Sequence, residues 1–261
     1  MITVSSAQLN LWLATFMFPL ARIAGLMATA PIFGNAGIPQ RIRLLIGLAV
    51  AFALAPALPP PPAVAAGSWL GISMLAQQLL IGLLLGFTLQ IALAAVDTAG
   101  QLIGLQMGLS FAVFYDPQRR AQTPVLSEFL GLLTTLIFLA MNGHLLTLSV
   151  LAESFRVLPV TTTPIAAAGI GTVLSWAATL FSAGVLLSLP LVAALLIANI
   201  AMGVLSRVAP QLNLFAIGFP VTMVAGFTVL MISLPYFGAA LERLFDHSFA
   251  AMRGVMQAAG A

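Results

Sequence analysis

His144, in MNGHLL, and His247 are the chain's two histidines, and neither stands in a carboxylate or serine arrangement typical of a nucleophilic site. A lone histidine in an apolar run reads as a hydrogen-bonded packing residue. No Walker-type glycine loop and no H-E-x-x-H pair is present, which removes the familiar phosphate-cradling and zinc-hydrolase chemistries. The lack of cysteine removes disulfide, thiolate and zinc-cluster chemistry and is silent about compartment. Catalysis finds no support, no cofactor or metal is implied, and the chain reads as a non-enzyme. Three polar stretches set in apolar sequence remain, and their chemistry is that of contact.

The first is a helix face. Gly100, Gly104 and Gly108 form a G-x-x-x-G-x-x-x-G run, and Gly82 and Gly86 an earlier G-x-x-x-G. Such spacing lets helix backbones approach closely where water supplies no driving force. At about 100° per residue, Gln90, Asp97, Gln101, Gly104 and Gly108 fall within ~40° of one line, so one face is both polar and glycine-lined. It reads either as a packed seam inside the chain or as a face lining a wet channel or docking on a partner helix. Asp97 would be costly in an apolar setting and should have a cationic or hydrogen-bonding partner.

The second stretch continues that face: GLQMGLSFAVFYDPQRRAQTPV, residues 104–125. Glycine gives backbone freedom, Met107 a pliable side chain, and Phe111, Phe114 and Tyr115 bulk. Asp116-Pro117 ends the run, and Arg119 and Arg120 mark a polar boundary. Two readings fit: aromatic residues beside an interfacial loop, or a bulky loop that blocks a pore and can be pushed aside. The third stretch is SRVAPQLNLFAIGFPV, residues 206–221, with Arg207, Gln211 and Asn213 beside two prolines. It is either a short turn between spans or a place where Arg207 pairs between subunits and Gln211 and Asn213 face a lumen.

The elements that must hold these stretches are apolar helices. Of 261 residues, 61% are hydrophobic and 6% charged, and mean hydropathy is +1.13. A water-facing domain carries roughly a quarter charged residues, so this surface belongs in lipid, against protein, or both. The high pI comes from nine scattered arginines against six acids, which is no basic patch for nucleic acid. No basic residue precedes Arg22, so the N-terminus lacks the charged region of a cleaved signal peptide and the first apolar segment is expected to persist.

A helix is expected from Ser5 or Ser6 to about residue 28, then a turn at Pro31–Pro39, then a segment ending at the proline-rich APALPPPPA. Residues 68–108 contain no proline and one charge. As one helix they would reach ~60 Å, about twice a ~30 Å hydrocarbon core, so they fold back or extend beyond it. Further segments cover 126–152, 172–206 around Pro190, and 214 onward past Pro220 and Pro235 into an amphipathic tail with Glu242, Asp246 and Arg253. In a six-span arrangement with the N-terminus outside, Arg41, Arg43, Arg119, Arg120 and Arg207 lie inside against three arginines outside, a weak bias.

Four stretches in order, TAPIFGNAGIPQRIRLLIGLAVAFALAP, AVDTAGQLIGLQMGLSFAVFYDP, MNGHLL and RVAPQLNLFAIGFPVTM, resemble the FliR family, the R component of the flagellar type III export gate. The likeness runs from Trp12 to about Arg243. APQLN is shared with the T component of virulence secretion systems, whereas GFP and MGLSFAVFYDP look more like the flagellar branch.

The resemblance implies an all-α fold of membrane-associated helical hairpins, with long helices broken by Pro and Gly. These would pack into a heteromeric spiral or ring with FliP- and FliQ-type subunits, joined by an FlhB-type subunit. It implies one export-gate domain over 1–261, P-like to about residue 165 and Q-like from about 166. It also implies a place in the bacterial inner membrane at the flagellar basal body, partly on the periplasmic side and in contact with lipid, passing unfolded flagellar proteins. The family's pore plug carries onto Gly108, Leu109, Ser110, Phe111, Ala112, Val113, Phe114, Tyr115, Asp116 and Pro117. The rivals are a virulence T component, an autonomous polytopic transporter or channel, and a purely structural nucleus for P and Q assembly.

Overall fold

A computed structural model describes residues 6–34, 37–59, 62, 64–65, 67–109, 124–210 and 214–261. Among them the chain is all-α: α1 Ser6–Thr29, α2 Gln40–Leu54, a short 3-10 turn Ala55–Ala57, α3 Trp69–Gln106, α4 Val125–Ala140, α5 Gly143–Val157, α6 Ala168–Val208 and α7 Leu214–Gly260. α3, α6 and the Ile217–Gly260 part of α7 are each long and apolar enough to cross a membrane, and α4 with α5 adds a fourth crossing if that bent pair counts as one.

Residues 69–106 form one continuous helix of 38 residues, about 57 Å long at ~1.5 Å per residue. Of the two expectations for that stretch, extension holds. Ser68 starts it, its Oγ accepting from the Gly71 N–H at 3.1 Å. The expected segment 126–152 is instead divided at Met141–Asn142. Asn142 adopts a left-handed φ of 57°, and its carbonyl accepts from the Leu145 and Leu146 amides to open the next helix. The Asn142-Gly143 dipeptide is a turn signal in the sequence. Pro190 lies inside α6, and Pro220 and Pro235 inside α7, without ending either helix.

The chain divides into two compact units. The first comprises Met1–Ile91, Asn142–Ala177 and Asp246–Ala261. In it α1 and α3 run side by side in the same direction, with Phe18 against Met74, Arg22 level with Gln78 and Leu26 level with Gly82. The seam is glycine-lined: a Cβ on Gly25 would lie 2.9 Å from the Leu83 nitrogen, and one on Gly82 2.8 Å from the Leu26 nitrogen. α2 returns antiparallel along α1, with Phe52 stacked on Phe16 at 6.5 Å and Gly47 facing Ile23 and Met27. The end of α7 closes on the start of α6, where the Ala166 N–H donates to the Ala259 carbonyl at 3.0 Å.

The second unit comprises Ala92–Met141 and Ala178–Phe245. Phe138 of α4 meets Phe245 of α7 edge-on at 4.9 Å. Gly184 of α6 lies against α3, where an added Cβ would be 2.9 Å from the Ala95 carbonyl oxygen and from Thr98 Cβ.

Candidate functional site

The glycine run at the end of α3 has two tasks. Gly100 and Gly104 form an internal seam with α4: a Cβ on Gly100 would fall 2.6 Å from the Ser127 Cα, and Leu126 Cβ lies 3.9 Å from the position a Cβ would take on Gly104. The Ser127 hydroxyl locks the seam by donating to the Asp97 carbonyl at 3.0 Å. So the glycine part of the face packs within the chain, whereas its polar part does not. Asp97 and Gln101 are exposed, Gln90 is half-buried and Gly104 is buried.

The Asp97 carboxylate faces a like charge, not the cationic or hydrogen-bonding partner expected for it. Its carboxylate oxygen lies 3.7 Å from the Cβ position of Gly131, and Glu128, in the first turn of α4, is close enough to act on it as a like charge. Two carboxylates therefore share this side of the second unit.

Gly108 ends α3. Its φ is +77°, a left-handed conformation that costs an L-residue ~1–2 kcal/mol and glycine nothing. The Leu109 N–H donates to the Gly104 carbonyl at 3.0 Å, and the Gly108 N–H to the Leu105 carbonyl at 3.1 Å. This pair of bonds is a Schellman stop, which satisfies carbonyls that a helix end would orphan. Met107, fully buried, lies against Gly226 of α7, and Phe219 of α7 lies 3.6 Å from the Cβ position of Gly108. Glycine offers backbone freedom, and at Gly108 that freedom is used for one left-handed stop. Leu109 follows, half-buried. Ser110, Phe111, Ala112, Val113, Phe114, Tyr115, Asp116 and Pro117 lie outside the described residues.

In the third stretch, Arg207 is exposed in the last turn of α6, where a cation complements the helix dipole. Gln211 and Asn213 lie outside the described residues. In the tail, Arg253 pairs with Glu153 at 3.6 Å, both side chains about half exposed (50% and 47%). Such a pair contributes ~0–1 kcal/mol. Among the described residues, no three of His, Cys, Asp and Glu come together to hold a metal ion.

One polar centre escaped the sequence reading. Arg22, counted there among scattered arginines, is fully buried in the first unit. Its Nε and Nη2 donate to Gln78 Oε1, its Nη1 to Ser154 Oγ at 3.0 Å and its Nη2 also to the Leu158 carbonyl at 2.7 Å. The guanidinium sits 4.1 Å from the Phe155 ring centroid. One side chain thereby ties α1 to α3 and to the end of α5. The available signal was a single charge inside an apolar helix, which must find partners.

A family model described as "Bacterial export proteins, family 1" matches residues 13–248. A protein of Escherichia coli (strain K12) named "Flagellar biosynthetic protein FliR" is 41% identical over 249 residues, covering 95% of this chain and 95% of that one. A protein of the same name from Pectobacterium carotovorum subsp. carotovorum is 40% identical, again over 95% of each chain. Another, from Aquifex aeolicus (strain VF5), is 32% identical over 91% of this chain and 92% of its own.

Proposed function

The chain belongs to the bacterial export proteins of family 1, among the FliR flagellar biosynthetic proteins, and from that premise we propose that it is the R subunit of a flagellar protein-export gate. In this reading it joins FliP-, FliQ- and FlhB-type subunits in the inner membrane, partly on the periplasmic side, and lines the pore through which unfolded flagellar proteins leave. Residues to about 165 act as a P-like part and those from about 166 as a Q-like part. Residues 108–117 plug the closed pore, and Gln90, Asp97, Gln101, Arg207, Gln211 and Asn213 face the lumen or neighbouring subunits. The proton gradient and partner subunits supply the energy, and the chain does no chemistry of its own.

The observation that carries the reading is the root of the loop. The end of α3 is a Schellman stop at Gly108, backed by Met107 and Phe219, and the aromatic run begins three residues later at Phe111. A plug must be moved without unravelling the helix that bears it, and such a stop separates the two mechanically. The exposed carboxylate and amide of Asp97 and Gln101, on a helix whose other exposed side chains are nearly all apolar, suit a wet or protein-lined surface better than lipid.

Deleting residues 110–116 tests it. The complex should still assemble and co-purify, and its ion conductance in planar bilayers should rise. Unchanged conductance would refute the plug, and loss of assembly would turn the segment into packing.

A further inference from the structure

The first 96 residues hold Arg22, Arg41 and Arg43 and no acid, since the first carboxylate is Asp97. Arg22 is spent inside the first unit, while Arg41 is exposed in the first turn of α2 and Arg43 is half-buried beside it. A cation at a helix N-terminus opposes the dipole by ~0.3–1 kcal/mol, so helix stability does not account for this placement. Beyond the arginines α2 is apolar and open, with Leu44, Leu45, Leu48 and Phe52 exposed. Its 15 residues span about 22 Å, too short to cross a ~30 Å hydrocarbon layer alone.

The register of the three N-terminal helices gives this surface a height. Phe52 is level with Phe16, and Gly47 with Ile23 and Met27. Phe18 is level with Met74 and Arg22 with Gln78. Carried along these pairings at ~1.5 Å per residue, Arg41 stands roughly level with Phe87 on α3. Trp69, 85% exposed, marks the other end of that same length of α3. The separation is about 27 Å, close to a hydrocarbon core. Between these limits the exposed large side chains are apolar on all three helices, among them Phe16, Met17, Leu45, Phe52, Ile72 and Leu79, while Gln78 bonds Arg22 and Gln77 donates to the Thr163 carbonyl at 2.9 Å. Tryptophan at one rim, arginine at the other and apolar side chains between are the flanks and face of a lipid-immersed band.

We propose that this band of α1, α2 and α3 faces lipid directly and that Arg41 binds the headgroup phosphates of an anionic leaflet. The occupant is chosen by charge: a wholly cationic, acid-free surface with an apolar band of bilayer height complements anionic lipid. The assignment stands independently of the plug and pore reading.

Because the chain contains no cysteine, Leu48→Cys can be labelled without background. In membrane vesicles from cells that assemble the full chain with its native neighbours, a fluorophore at position 48 should be quenched by nitroxide placed deep on lipid acyl chains. The full chain in nanodiscs of phosphatidylcholine with a minority of phosphatidylglycerol should retain phosphatidylglycerol by native mass spectrometry. Arg41→Gln should weaken that preference about fivefold, and Arg41→Lys should keep it. An unquenched label that crosslinks to another polypeptide, or equal retention in Arg41→Gln, would overturn the assignment.

Discussion

Arg22 takes a charge into the first unit and has no carboxylate among its hydrogen-bond partners; its donors go to an amide oxygen, a hydroxyl and a carbonyl, with an aromatic face above. Only a planar fork can reach Gln78 twice while also meeting Ser154 and Leu158, so lysine is no substitute. Arg22→Met strands buried acceptors on two other helices and should cost about 3 kcal/mol or more. Arg22→Lys should cost less, about 2 kcal/mol, by keeping the charge and losing the fork. Phe155→Leu should cost about 1 kcal/mol from the lost cation–π contact. Denaturant titration of the detergent-solubilised chain checks the order; an Arg22→Lys variant as stable as the parent would remove the clamp from the account. A lone charge in an apolar helix signals only that Arg22 needs company; its partners are 56, 132 and 136 positions away and no local pattern encodes them.

At the scale of helices, the glycines divide by what surrounds them. Gly82 and Gly100 stand where another backbone passes within a Cβ's reach, whereas Gly171, Gly203 and Gly238 have nothing within 4 Å. Gly100→Ala must displace the Ser127 backbone, and Gly82→Ala the α1 backbone; each should destabilise the chain by about 2 kcal/mol. Gly203→Ala should leave it unharmed or stabilise it by up to ~1 kcal/mol through helix propensity. Thermal unfolding of the three variants checks this, and equal losses at Gly100 and Gly203 would sink it. Spacing alone marks Gly82, Gly86, Gly100 and Gly104 as places where another helix can approach closely, and leaves open whether that helix is internal or a partner's. It did not say that α1 and α4 are the neighbours, nor that Gly108, in the same period, is a stop. The continuous α3 was one of two open readings, since length and hydropathy do not reveal whether a helix doubles back. The break at Asn142 lay inside an apolar run whose hydropathy masked an Asn-Gly turn.

For the whole molecule, the surface is the argument. With 6% charged residues no arrangement of this chain could cover itself for water, and composition alone made that legible. The structure adds where the uncovered surface is. Only 22% of the most apolar stretch of α6 and 11% of that of α7 is buried, and no residue from Leu196 to Val208 is. Gly203 sits in that open length of α6. If sister subunits cover it, as the gate reading holds, a bulky side chain there should spare the chain and harm the assembly. Gly203→Trp should therefore unfold within ~0.5 kcal/mol of the parent, as surface changes do, yet lose co-purification with the FliP- and FliQ-type subunits and abolish swimming motility. Lipid would accommodate the same indole with little effect. A Gly203→Trp chain that still assembles and supports motility would give that length of α6 to the membrane.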